Sequence, residues 1–410
     1  MTAPQLHSHA QSQVQLERAI GVEALLEARP NTVFGAAQHI GGSPLFVAQA
    51  KGAYLWDIDG NRYLDFMLGY GSVVLGHADA EVSRSVIAET LALGANPTLL
   101  NLNHIALAER LVANCPGVQR VTFMKTGSDA TDAAIRLARA VTRRRYVLRW
   151  GMNGWHDWCA PVSTGVLESS CVHTLQLRYN DLDHARELFA QCDGDVACAI
   201  LMPYELEAPG PGYLSGLREL CHANGALFIL DEIRSGFRIA IGGAQALFGI
   251  EADLVTYGKA LGNGYAISAL GGRADIMAHV AELGLTVTYF RGPESMAAAV
   301  ATIDELLRQD GPGKIESLGR LLISGLNGAA RATGIPAECI GLPWTPFLRF
   351  NYRTIAQSDR ALRMFCNGMQ RRGILLSSVH HWFLCTSMSI SDITFAIEAA
   401  HEVFFEMASL

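Results

Sequence analysis

Four short stretches combine residue types that can do chemistry. In "KTGSDATDAAIRLARA", Thr126, Gly127 and Ser128 stand between an apolar run and a helical pattern. Hydroxyls, a glycine that admits close backbone approach and the free N–H groups of a helix start suit a phosphate. Taken alone, the stretch reads first as an ordinary cap through Ser128 or Asp129 with no ligand. In "GALFILDEIRSGFR", the apolar run Ala226 to Leu230 ends on Asp231 and Glu232. Either these carboxylates cap the next segment and face water, or one is buried and needs a cationic partner. In "DLVTYGKALGNGY", Lys259 is surrounded by Gly258, Gly262 and Gly264, as if a flat body lay against the backbone. A lysine there is either a solvated strand end or a desolvated amine able to form a Schiff base. In "WGMNGWHDW", Trp150, Trp155 and Trp158 with His156 and Asp157 exceed what packing asks of a glycine-punctuated loop, so a ligand wall is expected. No second ligand stands at metal-binding spacing from His156, and His380-His381 reads as structural or surface, so no metal is expected.

Elements must bring these residues together. Short apolar runs at 120–125, 145–150, 196–202, 226–230, 253–258 and 266–272 read as strands. Amphipathic helices separate several of them, "DATDAAIRLARAV" and "LSGLRELCHANG" most clearly, the second closing on Gly225. This alternation predicts a mostly parallel sheet with helices on both faces, whose ligands sit beyond the carboxyl ends of the strands. Before it, helical spacing covers 14–28, and "KGAYLWDIDGNRYLDF" reads as a hairpin turning at Asp59-Gly60. After it comes a helix, "ESMAAAVATIDELLRQ", then a mixed region.

A phosphate cradle, a carboxylate and an amine at three strand ends match pyridoxal 5'-phosphate, which needs an anion site, an anionic partner for its ring nitrogen and an amine for its aldehyde. The bulk numbers exclude other classes. The net charge is -7 and no basic stripe carries interleaved aromatics, so no nucleic-acid partner is expected. Mean hydropathy is high at +0.19, yet no uninterrupted apolar run approaches the ~20 residues of a membrane-crossing helix. The surplus of Ala and Gly suits an oligomer interface. Nine scattered cysteines without a CxxC pair point to reduced thiols and a cytoplasmic protein. The polar start "MTAPQLHSHAQSQ" lacks a signal peptide's features and reads as a frayed leader. No GxGxxG follows an early strand, which disfavours a nicotinamide enzyme.

The chain resembles the class III (subgroup II) aminotransferases, most closely the branch around glutamate-1-semialdehyde aminomutase. The resemblance runs from about 30 to 400 and rests on "GAYLWDIDGNRYLDF", "GHADAEV", "TGSDATDAAIRLAR", "GWHDW", "LDEIRSGFR" and "YGKALGNGY". It implies a fold type I α/β protein with a seven-stranded, mostly parallel sheet in a large domain at 69–298. A smaller α+β domain is built from 1–68 and 299–410. It further implies a homodimer with shared active sites. Lys259 then holds the cofactor aldehyde and moves the proton, and Asp231 partners the ring nitrogen. Ile233 packs one ring face, and Thr126, Gly127 and Ser128 form the phosphate loop. Thr288 reaches the phosphate from the other subunit, while Glu232 and Arg238 support the fold.

Departures from the family speak to substrate. Met152 and Asn153 stand where a Tyr-His pair usually contacts the cofactor. The arginine that binds a carboxylate in relatives falls on Gly35, and the C-terminal one has no match in "HHWFLCTSMS", where Leu384 or its neighbours stand. Glu207 lies near a gating glutamate but lacks its arginine. Without a bidentate clamp, the expected substrates are a polar amine free of carboxylate and a keto or aldehyde partner. An amino sugar or aminocyclitol of secondary, antibiotic metabolism fits, with Tyr70, Trp155, His156, Asp157 and Tyr289 lining the pocket. An aminomutase, racemase or epimerase is the alternative, and a non-catalytic binding subunit a distant third.

Overall fold

The computed structural model describes residues 8–19, 46–286 and 288–409. Short runs rich in Val, Ile, Leu and Phe bury their apolar side chains best in strands covered on both faces. They form β1 (Arg120–Met124), β2 (Tyr146–Trp150), β3 (Thr174–Gln176), β4 (Val196–Leu201), β5 (Leu227–Asp231), β6 (Leu254–Tyr257) and β7 (Ser268–Gly272). All six residues of β4 are buried. The seven strands make one sheet in the order β1-β7-β6-β5-β4-β2-β3. β7 runs antiparallel to both neighbours, and all other pairs are parallel. The α/β, fold type I expectation is therefore met. The six sequence-read runs are all strands; β3, three residues long, has too short a pattern to declare itself.

Helix Gly127–Thr142 packs on this sheet through Ala130, Ala133, Ala134, Ile135, Leu137 and Ala138, which join Met124, Ile200, Ile229, Leu254 and Leu270 in one core. The alanines let helix and sheet approach closely, and that fixes where the helix start lies relative to the strand ends. Helices Tyr213–Ala223 and Pro293–Arg308 fall where the periodicity places them.

A separate unit holds the hairpin. Strands Val47–Lys51, Tyr54–Asp57 and Arg62–Asp65 are antiparallel, and Ile374–Leu375 adds in parallel to the third. Asp57 shapes the turn by accepting from the N–H groups of Asp59 and Asn61 at 3.0 and 2.8 Å. A second pair, Ala337–Ile340 with Phe347–Phe350, and helices Ile355–Gln370 and Ile390–Ala408 complete this unit around Phe350, Phe365, Trp382 and Phe404. Tertiary contacts divide the chain between Asp79 and Ala80 and between Pro312 and Gly313, whereas the sequence reading divides it after 68 and after 298.

The N-terminal segment differs from expectation. A helix runs Ala10–Ala19, so residues 10–13 are not a frayed leader. Asp59 accepts from Gln11 N, Ser12 N and Ser12 Oγ at 2.7, 3.0 and 2.6 Å, supplying acceptors that a helix start lacks internally. The rest of the expected 14–28 helix, and Gly35, lie outside the described residues.

Candidate active site

The strand β5 is buried to its last residue. Asp231 is 2% exposed and lies opposite Thr256 of β6. Its carboxylate accepts from Asn153 Nδ2 at 2.8 Å, Ile233 N at 3.2 Å and Thr256 Oγ1 at 3.3 Å. All three donors are neutral, and burial pushes the carboxyl above its usual range. Glu232 is fully buried too, so the reading of a water-facing cap pair does not hold. Its oxygens accept from Ala244 N and Gln245 N at 2.8 and 2.9 Å and from Ser235 Oγ. Glu232 thus braces the start of helix Gly243–Phe248, while burial raises its carboxyl to about 7.

Lys259 follows β6, the neighbour of β5, after Gly258. Its φ of 44° is left-handed, a conformation that costs a side-chain-bearing residue about 1 kcal/mol or more. A Cβ on Gly258 would come within 3.1 Å of Ile233 Cδ1, so the backbone passes close against that side chain. Burial first, then the positive charge of Arg234, lowers the Lys259 amine to about 8, with Asp231 pulling the other way. About a tenth of the amine is then neutral at pH 7.

The third component is the start of helix Gly127–Thr142. Thr126 is its cap: Thr126 Oγ1 accepts from Asp129 N at 3.2 Å, and Asp129 Oδ2 accepts from Thr126 N at 2.8 Å. The sequence puts the cap at Ser128 or Asp129, whereas the structure puts it at Thr126 with Asp129 closing it reciprocally, and this leaves Gly127 and Ser128 to offer their N–H groups outward. Ser128 Oγ accepts from Trp155 N at 3.3 Å, which leaves its own O–H to donate. A Cβ at Gly154, whose φ is +121°, would sit 2.7 Å from Ser128 Oγ, and one at Gly127 would sit 3.0 Å from Ile233. β1 runs in the same direction as β5 and β6, so all three components lie at the carboxyl ends of strands.

Other expected residues scatter. Trp150 stacks on Tyr179 at 4.0 Å, and Trp158 belongs to the core, so only Trp155 is exposed and the three-tryptophan ligand wall does not form. In the same loop Met152 is exposed and Asn153 is buried. His156 lies 3.7 Å from Asp132. Glu207 is exposed on a loop tied by Tyr179 Oη to Pro203 O at 2.7 Å. Thr288 and Tyr289 are exposed ahead of Pro293–Arg308. Tyr70 belongs to the other unit, within four left-handed residues from Leu68 to Gly71, its ring edge-on to His380. Leu384 is fully buried. Sequence reasoning missed Thr256 and the direction of Asn153. A threonine inside the otherwise hydrophobic strand "LVTY" is a signal for the first; nothing local points to the second.

The family model for aminotransferase class-III matches residues 36–384. The chain belongs to the class III aminotransferases. It is 33% identical over 377 residues to the 3-aminobutyryl-CoA aminotransferase of Cloacimonas acidaminovorans, covering 90% of this chain and 91% of that one. It is 36% identical over 410 residues to glutamate-1-semialdehyde 2,1-aminomutase of Anaeromyxobacter sp., covering 93% and 95%. The solved structure of the Sphingopyxis sp. MTA144 FumI protein, in its PLP form, superposes with a TM-score of 0.90 at 28% identity, covering 97% and 96%.

The class III cofactor is pyridoxal 5'-phosphate, and these residues fit it. The strand ends supply a buried carboxylate that, among the described residues, hydrogen-bonds to no cation, an amine lowered toward neutrality, and a helix start narrowed by two glycines no larger residue could replace without a shift. Among the described residues, no helix is long and apolar enough to cross a membrane.

Proposed function

We propose that this class III enzyme transfers amino groups in two half-reactions, on an amine whose carbon bears no free carboxylate. The observation that carries the reading is the placement of Asp231 and Lys259 at the same end of adjacent parallel strands, with a helix start as the anion end. When bound, pyridoxal phosphate supplies an aldehyde that takes up amines and a protonated ring that draws electrons from the bond broken at the substrate carbon. Lys259 Nζ holds the aldehyde between turnovers. The same nitrogen, when free, would take a proton from the substrate carbon and deliver it onward. Asp231 keeps the ring nitrogen protonated by charge. The N–H groups of Gly127 and Ser128 and the Ser128 hydroxyl hold the phosphate, and Ile233 and Met152 flank the ring.

What supports a substrate without a carboxylate clamp is the stretch "HHWFLCTSMS" around Leu384, which holds no arginine, and the likeness to an aminotransferase of 3-aminobutyryl-CoA, an amine removed from any free carboxylate. An amino sugar or aminocyclitol meets this description, with Trp155, His156, Glu207 and Tyr289 as its contacts. A second copy of the chain provides Thr288 to the phosphate. Ile87, Leu91, Leu99, Leu102 and Ile105, all more than half exposed, support such a pairing. Nine cysteines without a disulfide support a cytoplasmic setting.

The 36% identity to an aminomutase favours a second reading, in which the amino group is moved within one molecule. Omitting the keto acceptor separates the two. A transaminase takes up one amino group per site and stalls, whereas an aminomutase turns over unaided. Amines are then screened against the loaded enzyme; uptake confined to amino acids with free carboxylates overturns the substrate class.

A further inference from the structure

Asp231 is held, among the described residues, by one side-chain amide, one backbone N–H and one hydroxyl. The amide belongs to Asn153, itself 1% exposed and anchored by its backbone carbonyl, which accepts from Thr131 Oγ1 at 2.6 Å. Asn153 Oδ1 is buried with no hydrogen-bond partner among the described residues. The orientation of this amide is therefore set by Asp231 alone. Turning it by half a revolution would press Oδ1 against an ionised carboxylate, which only a protonated Asp231 could tolerate.

We propose that Asn153 is a positioning residue: its amide sets Asp231 toward the cofactor ring, and it does so without titrating. The inference rests on Asp231 being the partner of the ring nitrogen. The sequence reading had Asn153 touching the cofactor; the geometry has it acting through the carboxylate. The charged or titratable groups that act on Asp231 are Lys259 after the adjacent strand, Cys159 of the turn Asp157–Cys159, and Glu232, next in the chain but turned to the other face. Cys159 is pushed up to about 12 and Glu232 is fully bonded elsewhere, so Asn153 and Lys259 dominate the surroundings of the carboxylate near neutral pH.

The test is titration of cofactor-free protein with pyridoxal phosphate between about pH 5.5 and 8, read by tryptophan fluorescence and visible absorbance, without turnover. Asn153→Leu, which removes the donor, is expected to weaken binding about tenfold or more. Asn153→His restores a donor, so affinity at pH 8 is expected to recover. It then falls as pH drops through about 6.5, where an imidazolium competes with the ring for the carboxylate. Wild type lacks a step near 6.5 and keeps only the rise set by the Lys259 amine near 8. Wild-type affinity in Asn153→Leu with an unchanged melting curve overturns the proposal. If Asn153→Leu does not fold, a pH profile for Asn153→His identical to wild type overturns it instead. Asp231→Asn is the control: if it binds the cofactor as tightly as wild type, the reading of Asp231 itself fails. If it binds weakly while both Asn153 variants bind normally, only the role of Asn153 fails.

Discussion

Asp231 and Glu232 are consecutive and both buried, yet their carboxylates belong to different structures. Asp231 is held from the ends of neighbouring strands and the loop after β2, and Glu232 by the start of helix Gly243–Phe248. Alternation along an extended backbone sends adjacent side chains to opposite faces. One residue can therefore face the site while the next braces the fold.

Replacing Lys259 by Ala is expected to abolish transfer, with activity reduced about a thousandfold or more because the residue is both anchor and proton carrier. Borohydride should then no longer attach the cofactor to the protein. In wild type, the share of neutral amine rises with pH through about 8. The rate at which cofactor-free protein captures pyridoxal phosphate should climb roughly tenfold between pH 7 and 9 and then level. A flat profile would contradict a lowered amine at Lys259.

Ser128 and Thr126 separate binding from capping. Ser128→Ala removes a donor to the phosphate and should weaken cofactor binding about fivefold to tenfold with little change in melting. Thr126→Val removes the cap acceptor for Asp129 N and should cost about 1 kcal/mol of stability. Paired titrations and melting curves would show whether the two effects separate in this way.

Gly154→Ala places a methyl group near Ser128 Oγ in a left-handed conformation. Cofactor affinity should drop at least about tenfold. An unchanged dissociation constant would remove Gly154 from the cradle.

Glu232 is raised from 4.5 to about 7 in the folded protein. Between those values the folded chain binds more protons than the unfolded one. Its contribution to stability is full below about pH 4.5 and is lost as pH rises through about 7, on the order of 3 kcal/mol. Glu232→Gln should therefore show a flatter dependence of melting temperature on pH across that window than wild type, measured by calorimetry on both proteins. Parallel curves would refute the shift.

Much of this was legible from local pattern. Apolar runs of strand length, alanine-rich helical spacing and the Asp59-Gly60 turn depend on nearest neighbours, so six strands, the principal helices and the hairpin follow from the residues themselves. Lys259, Asp231 and the Thr126-Gly127-Ser128 turn stand out because charges and hydroxyls are costly at the ends of buried strands unless something there needs them. What only the tertiary structure decided is how residues far apart in the chain meet. Asn153 reaches Asp231 across 78 residues, and no spacing rule anticipates a hydrogen bond between the loop after one strand and the end of another. Trp158 enters the core and Trp150 stacks on Tyr179 for the same reason: an aromatic ring reads alike in sequence whether it faces a ligand or a neighbouring helix. Chemistry is written in residue types, but its aim depends on the sheet order that brings β5 and β6 side by side.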